Sequence, residues 1–329
     1  MREIAFDASP GEIRAVLFEN GAAVELHILR GGHVLPGSVI DAKIISKAGA
    51  RAFLTLPSGE EVVIMPSPAA SEGTTLRTEV IRARICEPGE IKLATIRLSE
   101  ADLGEIGEAQ WRASLCERAD TVITAGADFD DHFDIAQTGR SDLEGVTVWF
   151  ERTKAGLVFD VDGSGDAFAV NCVAATEIAR LLRLFYIGGA AMIDFIGMEN
   201  KAARLAVAAA FDAANADDPR GFERTSINGY GLMQVIRAKP GPSILDTLFG
   251  TRRVSLSDET LILALLRAAS RTAGAGVRRC VTTPALAKQL ELPVWQPLIA
   301  QAARQAGAAL EIVADASARG YGHVHVTPV

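Results

Sequence analysis

Between Leu157 and Met198 the spacing of apolar positions changes period twice. LVFDVDGSG (157–165) holds a short β-branched and apolar run ending on Asp160, and MIDFIGM (192–198) holds another ending on Asp194. Between them, residues 171–187 carry Val173, Ile178, Leu181, Leu182 and Phe185 at helical spacing. Strand, helix, strand in this order predicts a parallel, right-handed unit. It sets both carboxylates side by side at the carboxyl edge of a sheet, where open α/β sheets place their ligands. Two carboxylates converging there suit a hard divalent cation, most simply magnesium (manganese is an alternative), completed by water and substrate phosphate oxygens. Strand-end acids also serve as helix caps, so the pattern alone leaves both readings open.

The same patterning divides the rest of the chain. Residues 1–30 read as two strands joined at Glu19-Asn20-Gly21, a hairpin signal. Five strand-like pieces follow, at 39–46, 50–57, 60–66, 77–86 and 91–98, and predict a small, partly open barrel of the OB type. Residues 99–142 read as a charged, helical connector ending in DFDDHFD (128–134), an acidic run without calcium-loop spacing that is expected to be solvated. Strands are expected at 146–153 and 157–162, and further strands at 222–227 and 230–236. A helix over 201–216 stops at Asp217-Asp218-Pro219. Residues 251–329 alternate helix and strand as a small α/β layer. The expected domains are amino-terminal strands (1–34), a barrel (35–98), an acidic connector (99–142), an α/β core (143–247) and a carboxyl-terminal α/β unit (248–329).

Composition adds bounds. At 329 residues and 49% hydrophobic, the chain can bury a substantial core in two or three units. No apolar run approaches the roughly 20 residues that cross a bilayer, and no signal peptide is recognised ahead of Asp7, so a soluble, cytoplasmic protein without membrane partners is expected. Cys86, Cys116, Cys172 and Cys280 are scattered with no C-x-x-C pair. This argues against a disulfide framework and a cysteine-ligated zinc site, and predicts four buried, small apolar side chains. The net charge of −8 is awkward for a nucleic-acid binder, but residues 99–160 hold 14 Asp and Glu against 5 Lys and Arg. The acidity is local and leaves room for a nucleic-acid surface elsewhere. His27, His33, His132, His323 and His325 show no catalytic spacing.

The words are also those of a family. EIARLLRLFYIGGAAMIDFIGM (177–198), FERTKAGLVFDVDGSG (150–165), NGYGLMQVIRAKPGPSIL (228–245) and IAFDASPGEIRAVLFENGAAVELHILR (4–30) together resemble the ribonuclease E/G family. The resemblance implies an α/β fold: a mixed sheet with an RNase H-like/DNase I-like catalytic core, an inserted OB-type β-barrel and a small carboxyl-terminal α/β unit. It implies a magnesium-dependent endoribonuclease that hydrolyses single-stranded RNA to 5′-phosphate and 3′-hydroxyl products. Asp160 and Asp194 would be the metal ligands, and Asp162, standing where the family has Asn, an orienting or third acid. Ser164 in Gly163-Ser164-Gly165 would bring backbone amides to a phosphate. For RNA contact the candidates are Phe53, Lys92, Arg220, Arg224, Arg237 and Lys239. Phe53, in an alternating strand, reads as core more readily than as a stacking platform.

Several family words are missing. No Arg-Thr 5′-phosphate pocket is found between Leu98 and Asp142, and LFGTRRVSLSD (248–258) has no cysteine, so neither zinc nor a zinc-linked homodimer is expected. Gly197 replaces a second acid of the strand word. With Asp162 and a barrel poor in aromatics, this leaves open a catalytically reduced RNA-binding protein on the same fold. A phosphodiesterase acting on DNA is a third reading, since an acidic metal site does not itself see the 2′-hydroxyl.

Overall fold

In the computed structural model, residues 1–126 and 129–328 are described. The elements in chain order are β1 (Arg2–Ser9), β2 (Glu12–Glu19), β3 (Ala22–Arg30), β4 (Val39–Ala48), β5 (Arg51–Thr55), β6 (Glu61–Ile64), β7 (Thr75–Arg82), β8 (Ile85–Glu87), β9 (Glu90–Lys92), β10 (Ala94–Leu98), α1 (Glu108–Cys116), β11 (Thr121–Thr124), α2 (Asp131–Thr138) and β12 (Arg140–Leu143). They continue with β13 (Val146–Thr153), β14 (Gly156–Gly163), α3 (Ala167–Leu184), β15 (Gly189–Asp194), α4 (Lys201–Ala214), β16 (Glu223–Arg224), β17 (Leu232–Arg237), α5 (Ile244–Phe249), α6 (Asp258–Arg271), β18 (Val277–Thr282), α7 (Pro284–Leu290), α8 (Gln296–Ala306), β19 (Leu310–Ala314) and β20 (His323–Thr327). The chain splits into two compact units. One comprises Met1–Ala5, Ala15–His27 and Gly32–Val254, and the other Phe6–Arg14, Ile28–Gly31 and Ser255–Val329.

The amino terminus holds three strands where two were expected, because the chain also turns at Pro10-Gly11. At Asn20-Gly21 both residues have positive φ (51° and 82°), the conformation that a tight hairpin turn between twisted strands requires. The connector differs more. Besides α1 and α2 it contributes two strands, β12 and β11, the latter hydrogen-bonded beside β1 in the order β11-β1-β2-β3. The β-branched run Thr121-Val122-Ile123 explains β11, since such side chains are stiff at χ1 and favour a pleated surface. In the acidic run 128–134, Asp128 lies outside the described residues, and Asp131 opens α2.

Strands β4, β5, β6, β7 and β10 close into a five-stranded barrel in the order β10-β6-β5-β4-β7, with β10 parallel to β6 and antiparallel to β7. Alternate residues fill it: Ile40, Ile44, Ala52, Leu54, Val62, Ile64, Val80 and Ile96 are all buried. Phe53 lies between two of them in β5 and therefore faces outward, half-buried. It is not a core residue, because a strand's period of two sends it to the face opposite Ala52 and Leu54. Lys92 is not on the closing strand but in the separate β8–β9 hairpin.

The large sheet is six-stranded and mixed, in the order β12-β13-β14-β15-β17-β16. On one face Val148, Phe150, Phe159, Val161 and Ile193 are buried, and α3 packs on β13 and β14 there. Burying each large apolar side chain contributes about 1.5–3 kcal/mol. The opposite face carries Trp149, Asp160, Asp162, Met192 and Asp194, all exposed. Arg152 is the inward-facing exception on β13. It donates to the carbonyls of Cys86, Gly250 and Arg252 and to Asp246 at 2.7–3.2 Å, so its buried charge is fully occupied.

The second unit is built around a three-stranded sheet, β19-β18-β20, with Ile262, Leu265, Leu266, Cys280, Leu286 and Ala302 in its core. Within this unit Glu12 is buried among Arg14, Arg30 and Arg267. His323 and His325 stack with ring centroids 5.6 Å apart. Of the cysteines, all free, Cys280 is buried as expected, whereas Cys86, Cys116 and Cys172 are only half-buried. Among the described residues no helix is long and apolar enough to cross a membrane.

Candidate functional site

The site rests on β14, α3 and β15. The side chain of Asp166 caps α3 by accepting from the Ala169 N–H at 3.0 Å, and the helix carries the chain back to start β15 parallel to β14. The register then pairs Asp160 with Asp194 as direct cross-strand neighbours. Asp160 is not the tip of its strand, since β14 runs on to Gly163 and brings Asp162 out on the same face. The three carboxylates therefore crowd on the open face of the sheet.

Their electrostatics follow from that crowding. Burial, and then the charges of Asp162 and Asp194, push the Asp160 carboxyl above its ordinary range, against a backbone N–H of Val161 that favours the anion. Among the described residues no Lys or Arg forms an ion pair with any of the three. Among the described residues one side-chain donor reaches them: the indole N–H of Trp149 donates to Asp162 Oδ2 at 3.0 Å. Hard oxygen donors carrying uncompensated negative charge fit a divalent cation. No group of three or more His, Cys, Asp or Glu among the described residues is arranged to hold a metal ion. A cation here would take few protein oxygens and fill its shell with water and substrate oxygens, as magnesium does.

Two further residues set the site and were not foreseen. Asn171, fully buried on α3, donates to the Ile196 carbonyl at 2.7 Å and accepts from the Ile196 N–H at 3.1 Å. This clamps the backbone just past Asp194 to the helix. A polar residue among the apolar positions of α3 was the available signal. Gly231, with φ of 92°, lets the Phe195 carbonyl approach, and a Cβ there would meet that oxygen at 2.3 Å. Gly231→Ala is expected to destabilise the first unit by about 2 kcal/mol and to displace Asp194, which urea unfolding and a cleavage assay would read together.

The candidate RNA contacts are dispersed. Ser164, two residues past Asp162, is exposed, and its N–H is spent on the Gly145 carbonyl at 3.3 Å. Arg237 is 4% exposed and paired with Asp218, and burial, with the charge of Arg220 second, lowers it to about 10. It sits in register with Gly189, five residues and about 16 Å along β15 from Asp194. Arg220 lies over the Tyr186 ring at 3.9 Å and points Nη2 at the carbonyls of Leu182 and Arg183. It thus neutralises the carboxyl end of α3. Arg224 pairs with Asp212, Lys92 with Glu87 at 2.6 Å, and Lys239 with Glu87 at 2.9 Å and Asp246 at 3.1 Å. The structure brings Asp160, Asp162 and Asp194 together and leaves these cations with other partners.

A cavity of about 630 Å³ opens beside the acids, lined among others by Asp160, Asp162, Trp149, Phe249 and Arg253.

Residues 116–240 match the model of the Ribonuclease E/G family. The chain is 37% identical over 121 residues to Ribonuclease E of Nostoc sp., a stretch covering 34% of this chain and 18% of that protein. It is 31% identical over 139 residues to Ribonuclease E of Escherichia coli, covering 37% and 13%. It is also 30% identical over 111 residues to a chloroplastic Ribonuclease E/G-like protein of Arabidopsis thaliana, covering 30% and 11%. The matched segments thus span less than a fifth of these relatives. The segment that resembles the Ribonuclease E/G family contains the three acids, α3 and the sheet that presents them.

Proposed function

We propose that this chain is a metal-dependent endoribonuclease that hydrolyses single-stranded RNA, leaving 5′-phosphate and 3′-hydroxyl ends. The observation that carries the reading is the cross-strand pairing of Asp160 with Asp194 on an open sheet face, with Asp162 beside them and, among the described residues, no Lys or Arg ion-paired with them. In this reading Asp160 and Asp194 hold magnesium, which when bound supplies charge neutralisation at the scissile phosphate and an acidified water. Asp160 and Asp194 contribute fixed anionic oxygens. Asp162, held through one oxygen by the Trp149 N–H, would keep its other oxygen available to orient the attacking water and accept its proton. Asn171 fixes the backbone after Asp194, so the acids do not drift apart when phosphate enters. The OB character of the barrel, and an RNA-binding role for its outward Phe53, belong to the same proposal.

The test is cleavage of a labelled single-stranded RNA with magnesium, beside EDTA and a DNA strand of the same sequence. RNA cut only with the metal, with 5′-phosphate products, is the expected result. RNA retained in a gel shift but never cut would replace the enzyme by a binding protein, and equal cutting of DNA would replace the substrate class.

A further inference from the structure

We infer that Trp149 is the stacking platform for a nucleobase next to the scissile phosphate, and that the cavity beside the acids is a single-nucleotide subsite. The inference rests on the ribonuclease reading and specifies where that site holds its substrate.

The placement comes from register. Trp149 is the direct cross-strand partner of Asp160, so an indole and a candidate metal ligand stand side by side on the same open face. Trp149 is 38% exposed, unusual for the largest apolar residue in a sheet that buries Phe150 and Phe159 on its other face. Its orientation is fixed at two points. The N–H donates to Asp162 at 3.0 Å, and the Arg140 guanidinium lies 4.7 Å from the ring centroid. Arg140 is in turn held by Asp142 at 2.8 Å. An indole locked this way offers a preformed surface, so a base that stacks on it loses little to ordering the protein.

The remaining walls suit the same occupant. Leu245, Phe249 and Val254 line the cavity with Trp149, and its volume of about 630 Å³ accommodates a base and its ribose. Arg253, 60% exposed, reaches the cavity and among the described residues shares its charge only with the exposed Glu151 at 3.5 Å, which leaves it able to turn to a backbone phosphate. Aromatic surface, an exposed guanidinium and adjacent acids match a single-stranded nucleotide: base on the ring, phosphate toward Arg253, and the next phosphate toward Asp160 and Asp194. A duplex cannot present an unstacked base to such a surface, so the subsite also selects single strands.

The test uses the full chain carrying Asp194→Asn, so that RNA is bound without being cut, and the same protein with Trp149→Leu or Trp149→Phe. Indole fluorescence is followed as a short single-stranded RNA, or a strand of the same length without bases, is added with magnesium. The RNA is expected to quench the emission that Trp149→Leu removes, and the base-free strand is not. Trp149→Leu should weaken RNA binding about 10-fold, and Trp149→Phe, which keeps a smaller aromatic ring without the N–H, should recover most of it. In the active protein Trp149→Leu should raise KM by a similar factor, whereas any fall in kcat from losing the N–H that holds Asp162 should appear equally in Trp149→Phe, which leaves KM near that of the unsubstituted protein. RNA bound and cut by Trp149→Leu with unchanged KM would overturn the subsite and leave the ribonuclease reading intact. No RNA bound by any of the proteins would overturn both.

Discussion

Asp160→Asn is expected to lower RNA cleavage by about 10³-fold or more while leaving the fold intact and RNA binding within about threefold. The substitution keeps shape and hydrogen bonding but removes the charge that a divalent cation needs from this position. It should not destabilise the protein. Asp160 is crowded by Asp162 and Asp194, and its carboxyl is held above the ordinary range by burial and by those two charges. The folded state therefore binds the Asp160 proton more tightly than the unfolded chain does. In the pH window just above the ordinary carboxylate range, stability falls as pH rises. At neutral pH the cation-free Asn variant should melt about 1–2 °C higher than wild type, a small gain because the group is solvent-screened. Differential scanning calorimetry in EDTA reads this, and a variant that melts several degrees lower would mean that Asp160 supports the fold rather than the chemistry.

Glu12→Gln should have the largest effect on stability. Burial alone would raise the Glu12 carboxyl, but Arg30, Arg14 and Arg267 outweigh burial and hold it at about 2. Replacing it by a neutral amide leaves three buried guanidiniums without their shared anion, a loss of about 3–5 kcal/mol. The contribution of Glu12 is complete above the ordinary glutamate range and disappears as pH falls from about 4.5 toward 2. Urea unfolding should show the full difference between variant and wild type at pH 7 and a shrinking one in acid. A difference below about 1 kcal/mol at pH 7 would show that the arginines find other partners.

The adjacency of Asp160 and Asp194 was legible because it depends on neighbours in sequence. The change from period two to period 3.6 and back, with an acid on each strand, implies a parallel pair and hence a shared face. Trp149 was not legible as part of the site. Its importance comes from a cross-strand register and from which side of β13 faces α3, and neither is written in VTVWFERT. The partners of the basic candidates were not legible for a related reason. An arginine's charge is visible in the sequence but its partner is not: Asp218 takes Arg237, Asp212 takes Arg224, and the end of α3 takes Arg220. Phe53 was misplaced by one step of a two-residue period, which in a strand is the whole difference between inside and outside. The third amino-terminal strand was missed because Pro10-Gly11, a turn signal of its own, was passed over.

A sheet that keeps one face open with Trp149, Met192 and Ile236 exposed on it is at risk of pairing with copies of itself. Its borders remove that risk. One edge is β16, only two residues long, and the other is β12, four residues that include Arg140 and Asp142. Neither offers the long, flat, apolar rail that strand addition needs, so the open face can stay sticky toward a substrate while the sheet resists growing into an aggregate.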